Sequence, residues 1–106
     1  MIWLSLLATL AMVHPVKLLE ITMHYVYVLQ SVNDDGLYTG YTKDLKQRFE
    51  QHQKGIVKST KNRRPLQLIY YEACINQEDA TKREKYLKTY KGRMFLKNRL
   101  KSYFTG

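Results

Sequence analysis

Cysteine is almost missing from this chain. Cys74 stands alone, which excludes an intrachain disulfide framework and a cysteine-built zinc site. The three histidines, His14, His24 and His52, show no ligand spacing either. Long apolar runs are also lacking: Met1 to Val16 carries no Lys, Arg, Asp or Glu, yet it is shorter than the roughly 20 residues that span a bilayer. Without a basic n-region it is a weak signal peptide. No internal repeat or linker divides the chain, and its 106 residues have room for one compact domain.

Residues 1–22 therefore form an apolar extension with three readings. It is a dispensable extension or an artefact of starting at Met1 instead of Met23, an extra helix packed on the domain, or an export or membrane signal. Function is expected in residues 23–106, and in the cytoplasm unless the first 22 residues direct export.

Acidic residues are scarce. There are 9 Asp and Glu against 18 Lys and Arg, a net charge of +9, and 17 of the 18 cations fall between Lys43 and Lys101, interleaved with tyrosines. Hydrophobic residues make up 44% of the chain and aromatics 12%, the composition of a folded protein and not of a basic disordered tail. Such a charge favours a polyanionic partner, because each neutralised phosphate releases a condensed counterion. An anionic membrane surface would attract it too; nucleic acid is the preferred reading.

The pattern predicts an α/β (α+β) fold, a small three-stranded sheet with flanking helices in the order β-β-α-β-α-α. His24 to Gln30 and Leu37 to Tyr41 read as strands joined by the turn residues Asn33 to Gly36. Gly40 within the second strand suggests a bulge or a close approach by another backbone or a ligand. Thr42 can cap a helix from Lys43 to about Lys54, stopped by Gly55. A basic loop, 55–65, leads to a third strand, Leu66 to Cys74. Asn76 can cap a helix from about Gln77 to Tyr90, and Gly92 is expected to separate it from a last helix bearing Phe95, Leu96 and Leu100.

Some polar residues occupy places where apolar ones are expected. Leu45, Arg48, Phe49 and His52 share one helical stripe. Arg48 has an exposed i,i+4 pair with Asp44 as its simplest explanation, and His52 a favourable place near a helix C-terminus. Ala80, Glu84 and Leu87 share a face of the next helix. Glu84 is the one acid between Ala80 and Gly106, among nine basic residues. It reads either as an i,i+4 partner of Lys88 or as an oxygen ligand kept for a hard divalent cation on a surface committed to phosphate.

The order Tyr25-Val26-Tyr27, Tyr38-Thr39-Gly40, Arg48, His52 and Glu84 resembles the GIY-YIG nuclease family. In particular it resembles the small single-domain bacterial members related to the N-terminal domain of an excision-repair nuclease. The two tyrosines stand eleven residues apart and the arginine follows ten later. The resemblance implies a divalent-metal-dependent endonuclease acting on DNA more readily than RNA, in repair or DNA processing, with one Mg²⁺ or Mn²⁺ and no small-molecule cofactor. It implies that Tyr27 helps activate the attacking water, that Tyr38 organises the phosphate and its water, that Arg48 contacts the scissile phosphate, and that Glu84 holds the metal. His52 matches a position where the family uses His or Tyr, and it competes with Tyr27 as general base. The first motif is Tyr-Val-Tyr instead of Gly-Ile-Tyr, and Tyr41 stands where some relatives carry lysine. Lys58, Thr60, Lys61, Arg63 and Arg64 are expected to follow the nucleic-acid backbone, which positions a substrate without reading its sequence. A non-catalytic nucleic-acid-binding module is the alternative.

Overall fold

The computed structural model describes residues 21–106. The three readings of residues 1–22 lie outside them apart from Ile21 and Thr22. No helix among the described residues is long and apolar enough to cross a membrane.

Strands β1 (His24–Ser31), β2 (Leu37–Thr42) and β3 (Leu66–Cys74) form an antiparallel sheet in the order β2-β1-β3. Helix α1 (Leu45–Lys54) lies between β2 and β3 in sequence, while α2 (Gln77–Leu87), α3 (Tyr90–Arg99) and the single turn α4 (Lys101–Thr105) follow β3. This is the β-β-α-β-α-α order with a short terminal turn added. Strand β1 is central because its β-branched and aromatic residues supply an apolar side chain to each face in alternation.

Val26 and Val28 pack on one face against Ala80, Leu87 and Leu96, so α2 and α3 cover that side. Tyr27, Leu29 and Leu66 lie on the other, against Leu45 and Phe49 of α1. Two-residue periodicity thus places Tyr27 beneath α1 and its neighbours Val26 and Val28 beneath α2. Glu72 of β3 fastens the second layer, accepting from Arg83 Nε at 3.0 Å and from Arg83 Nη2 at 2.9 Å. The Arg83 guanidinium also lies 4.5 Å from the Phe95 ring centre.

Two helix boundaries differ from the sequence expectation. Helix α1 starts at Leu45 under the cap of Asp44, whose carboxylate accepts from Gln47 N at 3.0 Å. Thr42 instead holds Asp44 N at 3.1 Å, just before the helix. Gly92 does not separate the last helices. The chain breaks at Lys88 and Thr89, and the Thr89 hydroxyl caps α3 by accepting from Gly92 N at 3.1 Å. Gly92 is buried in the first turn, where a Cβ would meet the Tyr86 carbonyl oxygen at 2.0 Å; its small size serves helix crossing.

Candidate active site

The two tyrosines come from paired strands. Tyr27 lies opposite Gly40 and Leu29 opposite Tyr38, so both phenols are on the α1 side of the sheet. The Tyr27 ring leans over Gly40: a Cβ there would stand 2.5 Å from both Cζ and the phenolic oxygen. The close approach at this glycine is made by a side chain of the neighbouring strand and not, as expected, by a backbone or a ligand.

Arg48 and His52, one helical turn apart on α1, descend onto these rings. His52 Nε2 is 2.7 Å from the Tyr27 oxygen, and its ring packs edge-on against Tyr38 with centres 5.2 Å apart. Tyr27 is 1% and His52 0% exposed. Burial pushes the Tyr27 phenol up to about 12, even though the neighbouring Arg48 guanidinium pulls it down. Burial, helped by Arg48, lowers His52 to about 4. Both side chains are therefore neutral near pH 7.

The simple explanations offered for Arg48 and His52 do not hold. Asp44 is committed to capping α1, and Arg48 Nη1 donates instead to Gln51 Oε1 at 3.0 Å. His52 lies in the interior, with its second nitrogen, Nδ1, 2.7 Å from Thr60 Oγ1.

Thr60 is the clearest departure in the basic loop. It does not face the nucleic-acid backbone as expected; it is fully buried, because its hydroxyl closes the Tyr27–His52 chain from below. Arg64 is turned back as well: its Nε donates to the Lys61 carbonyl at 2.9 Å and its Nη1 to the Gln53 carbonyl at 3.3 Å, closing the loop over the end of α1. Lys58 and Lys61 remain exposed. Arg63 reaches the hairpin at Gly36 and lies close enough to Arg93 that their like charges, after burial, depress the Arg93 guanidinium. Arg93 donates to Thr39 Oγ1 at 3.3 Å. In the sequence it is one basic residue among many, since no local spacing brings α3 to β2.

Glu84 is set apart from the other four. It lies between the buried Ala80 and Leu87 on α2, the helix covering the face opposite α1, with its side chain 21% exposed. Lys88 Nζ stands 3.4 Å from its carboxylate, and no hydrogen bond among the described residues joins it to Tyr27, Tyr38, Arg48 or His52. Helix α2 does contact β2, the edge strand that carries Tyr38. The described residues hold no cluster of three or more His, Cys, Asp or Glu side chains suited to a metal ion. A lone, partly accessible carboxylate fits a hard cation that keeps most of its water, such as Mg²⁺, and does not fit a closed cage.

The chain belongs to the GIY-YIG catalytic domain family, whose model matches residues 23–101, and through that membership its small antiparallel sheet with paired strand tyrosines is a nuclease-type fold. Its relatives are small proteins, a larger share of which is covered by the match than of this chain. A UPF0213 protein of Staphylococcus epidermidis is 44% identical over 75 residues, covering 70% of this chain and 90% of the relative. A UPF0213 protein of Staphylococcus aureus is 46% identical over 68 residues, covering 63% and 82%. The solution structure of a UPF0213 protein from Bacillus halodurans is 34% identical and covers 70% of this chain and 81% of that one, with a TM-score of 0.45.

Proposed function

We propose that this protein is a divalent-metal-dependent endonuclease that hydrolyses phosphodiester bonds in DNA with low sequence specificity, as part of repair or DNA processing in the cytoplasm. The observation that carries the reading is the 2.7 Å bond between Tyr27 and His52, buried under Arg48 beside Tyr38. Burying two titratable rings beside a half-buried guanidinium is costly unless the arrangement serves chemistry.

In this reading Arg48 presents its planar fork to the phosphate as charge develops there. Tyr38, partly exposed, orients the phosphate and the attacking water. Tyr27 accepts the proton of that water, which requires lowering its phenol from about 12 by the cations that gather in the complex. Lys58, Lys61 and Arg63 hold the backbone beyond the site and read no bases. A Mg²⁺ or Mn²⁺ ion held by Glu84 would supply Lewis-acid stabilisation of the phosphoryl oxygens.

The test is Glu84→Ala, assayed on plasmid and branched DNA with Mg²⁺ or Mn²⁺. Loss of cleavage with retained folding is expected, and undiminished cleavage would remove Glu84 from the site. One observation favours a second reading, a nucleic-acid-binding module without turnover: the Glu84 carboxylate is already paired with Lys88. That module would bind duplex DNA with a log-log salt slope of about −0.9 per phosphate contact, and give no metal-stimulated product on the same gel.

A further inference from the structure

A groove on the α1 side of the sheet takes no part in the site described above. It lies between the start of α1 and strands β1 and β3, with a volume of about 430 Å³, and Leu45, Phe49 and Leu68 give it an apolar lining. Ligand pockets begin at roughly 300 Å³, so a nucleobase with its sugar has room here. Two tyrosines complete the lining. Tyr25 and Tyr71, from neighbouring strands, have ring centres 6.1 Å apart and planes inclined by 57°. Tyr71 is 54% exposed. A cross-strand aromatic pair supports a sheet by itself, but that role needs no groove beside it.

Charge selects the occupant. Lys43 and Lys46 also line the groove, both exposed, and neither enters an ion pair among the described residues. The one carboxylate in the lining, Asp44, is engaged in capping α1, where it accepts from Gln47 N at 3.0 Å. An apolar peptide would leave the two ammonium groups without partners. A nucleotide satisfies both halves of the lining, with a flat π-face for the tyrosines and a phosphate for the lysines.

Position ties the groove to the site. Tyr71 stands directly opposite Tyr27 in the β1–β3 register, where neighbouring strands are about 5 Å apart. Tyr25 lies two residues before Tyr27 on β1 and on the same face, about 7 Å along the strand. A nucleotide next to the one at Tyr27 is therefore within reach of both rings.

We infer that this groove binds an unpaired nucleobase, stacked on Tyr71 and Tyr25 with its flanking phosphates held by Lys43 and Lys46. That the base belongs to the strand being cut rests on the nuclease reading; the binding does not. A base inside an intact duplex is already stacked and paired, and drawing it out carries a cost that a single-stranded base does not bear. The groove thus favours single-stranded, frayed or branched DNA over a blunt duplex.

The experiment measures fluorescence anisotropy of the full-length protein in EDTA, so binding is read without cleavage. The ligands are oligothymidylate, a chain of the same length and charge made wholly of abasic sites, and a blunt duplex. The wild type is expected to bind oligothymidylate about tenfold or more tightly than the abasic chain. Equal affinities would overturn the inference, since phosphates alone would then account for binding. Tyr71→Ala should remove most of the preference for bases and Tyr71→Phe should keep it, with duplex affinity near the wild-type value in both. Tyr71→Leu, which retains an apolar side chain but no ring, takes the place of Tyr71→Ala should that variant not fold. Loss of the ring with the full preference retained also overturns the inference. Replacing Lys43 and Lys46 by Ala should flatten the log-log salt slope on oligothymidylate by about 0.7 per lysine. A base preference in a protein that cleaves no DNA with Mg²⁺ removes the nuclease reading and leaves the groove standing; cleavage without a base preference does the reverse.

Discussion

Tyr27 and His52 are separated by 25 residues, yet their side chains meet at 2.7 Å with less than 2% of either residue exposed. A strand and a helix thus contribute the two halves of one hydrogen bond in the layer where Leu29, Leu45 and Phe49 otherwise make an apolar core. The bond fixes the phenol from behind, and its ring lies beside Tyr38 of the β2 edge with centres 6.3 Å apart.

The burial of His52 has a consequence for stability. Its folded-state value of about 4 lies below the 6.5 of an unfolded imidazole. Between these values the unfolded chain binds a proton that the folded protein does not. Stability is therefore fully present above pH 6.5 and is lost as pH falls toward 4, at up to about 1.4 kcal/mol per pH unit. Urea titrations of wild type and His52→Gln at pH 7, 5.5 and 4.5 check this. The variant should be less stable at pH 7 and should lose less on acidification; parallel losses would contradict the assignment.

Gly40→Ala tests how firmly that phenol is held. A methyl group would meet Tyr27 Cζ and the phenolic oxygen at 2.5 Å. The ring is itself pinned by His52, so it cannot swing aside without breaking the buried bond. The expected cost is about 1–3 kcal/mol, as for overpacking a core, with a fall in cleavage larger than the fall in folded fraction. A wild-type melting temperature and rate would mean that the ring moves freely.

The strands were legible because β-branched and aromatic residues fill β1 and β3 and turn residues bound them; which face meets which helix was not, because β1 is apolar on both. Helix starts were less legible than strands: Thr42 and Asp44 can both cap, and only the geometry shows that the Asp44 carboxylate reaches Gln47 N. Gly92 misleads for a related reason, since a glycine wanted for close packing is indistinguishable in sequence from one that ends a helix. Within the site, the shared stripe of Arg48 and His52 and the pairing of Glu84 with Lys88 follow from helical spacing. Thr60 does not. It is set among Lys58, Lys61, Arg63 and Arg64, and nothing local shows that the loop folds this one hydroxyl inward to His52.

Glu72 offers a contrast between support and chemistry. Its carboxylate takes three hydrogen bonds from Arg83, 2.9–3.1 Å long, and one from Tyr70 at 2.9 Å. The partners are about one-third exposed, so solvent screening reduces what the pair contributes. Glu72→Gln should destabilise the fold by about 1–2 kcal/mol. Cleavage per folded molecule should not change, because the network joins β3 to α2 and α3, away from Tyr27. Thermal melts beside cleavage rates separate the effects; a rate loss beyond the unfolded fraction would place Glu72 in the site.

Lys88 is the sharper test of the metal assignment, because it competes for the same carboxylate. An exposed i,i+4 pair contributes only a few tenths of a kcal/mol, and Lys88 is itself half exposed. A divalent cation with several waters still attached can displace it at small cost. If Glu84 is the ligand, Lys88→Ala should lower the Mg²⁺ concentration giving half-maximal cleavage by about twofold, the factor that a few tenths of a kcal/mol represents. Glu84→Ala should leave no saturable metal response, and the double variant should behave like Glu84→Ala. Were Glu84 only a helix partner, Lys88→Ala would shift the melting temperature slightly and leave the metal titration where it was. The two variants together therefore distinguish a carboxylate held in reserve for a cation from one that simply stabilises α2.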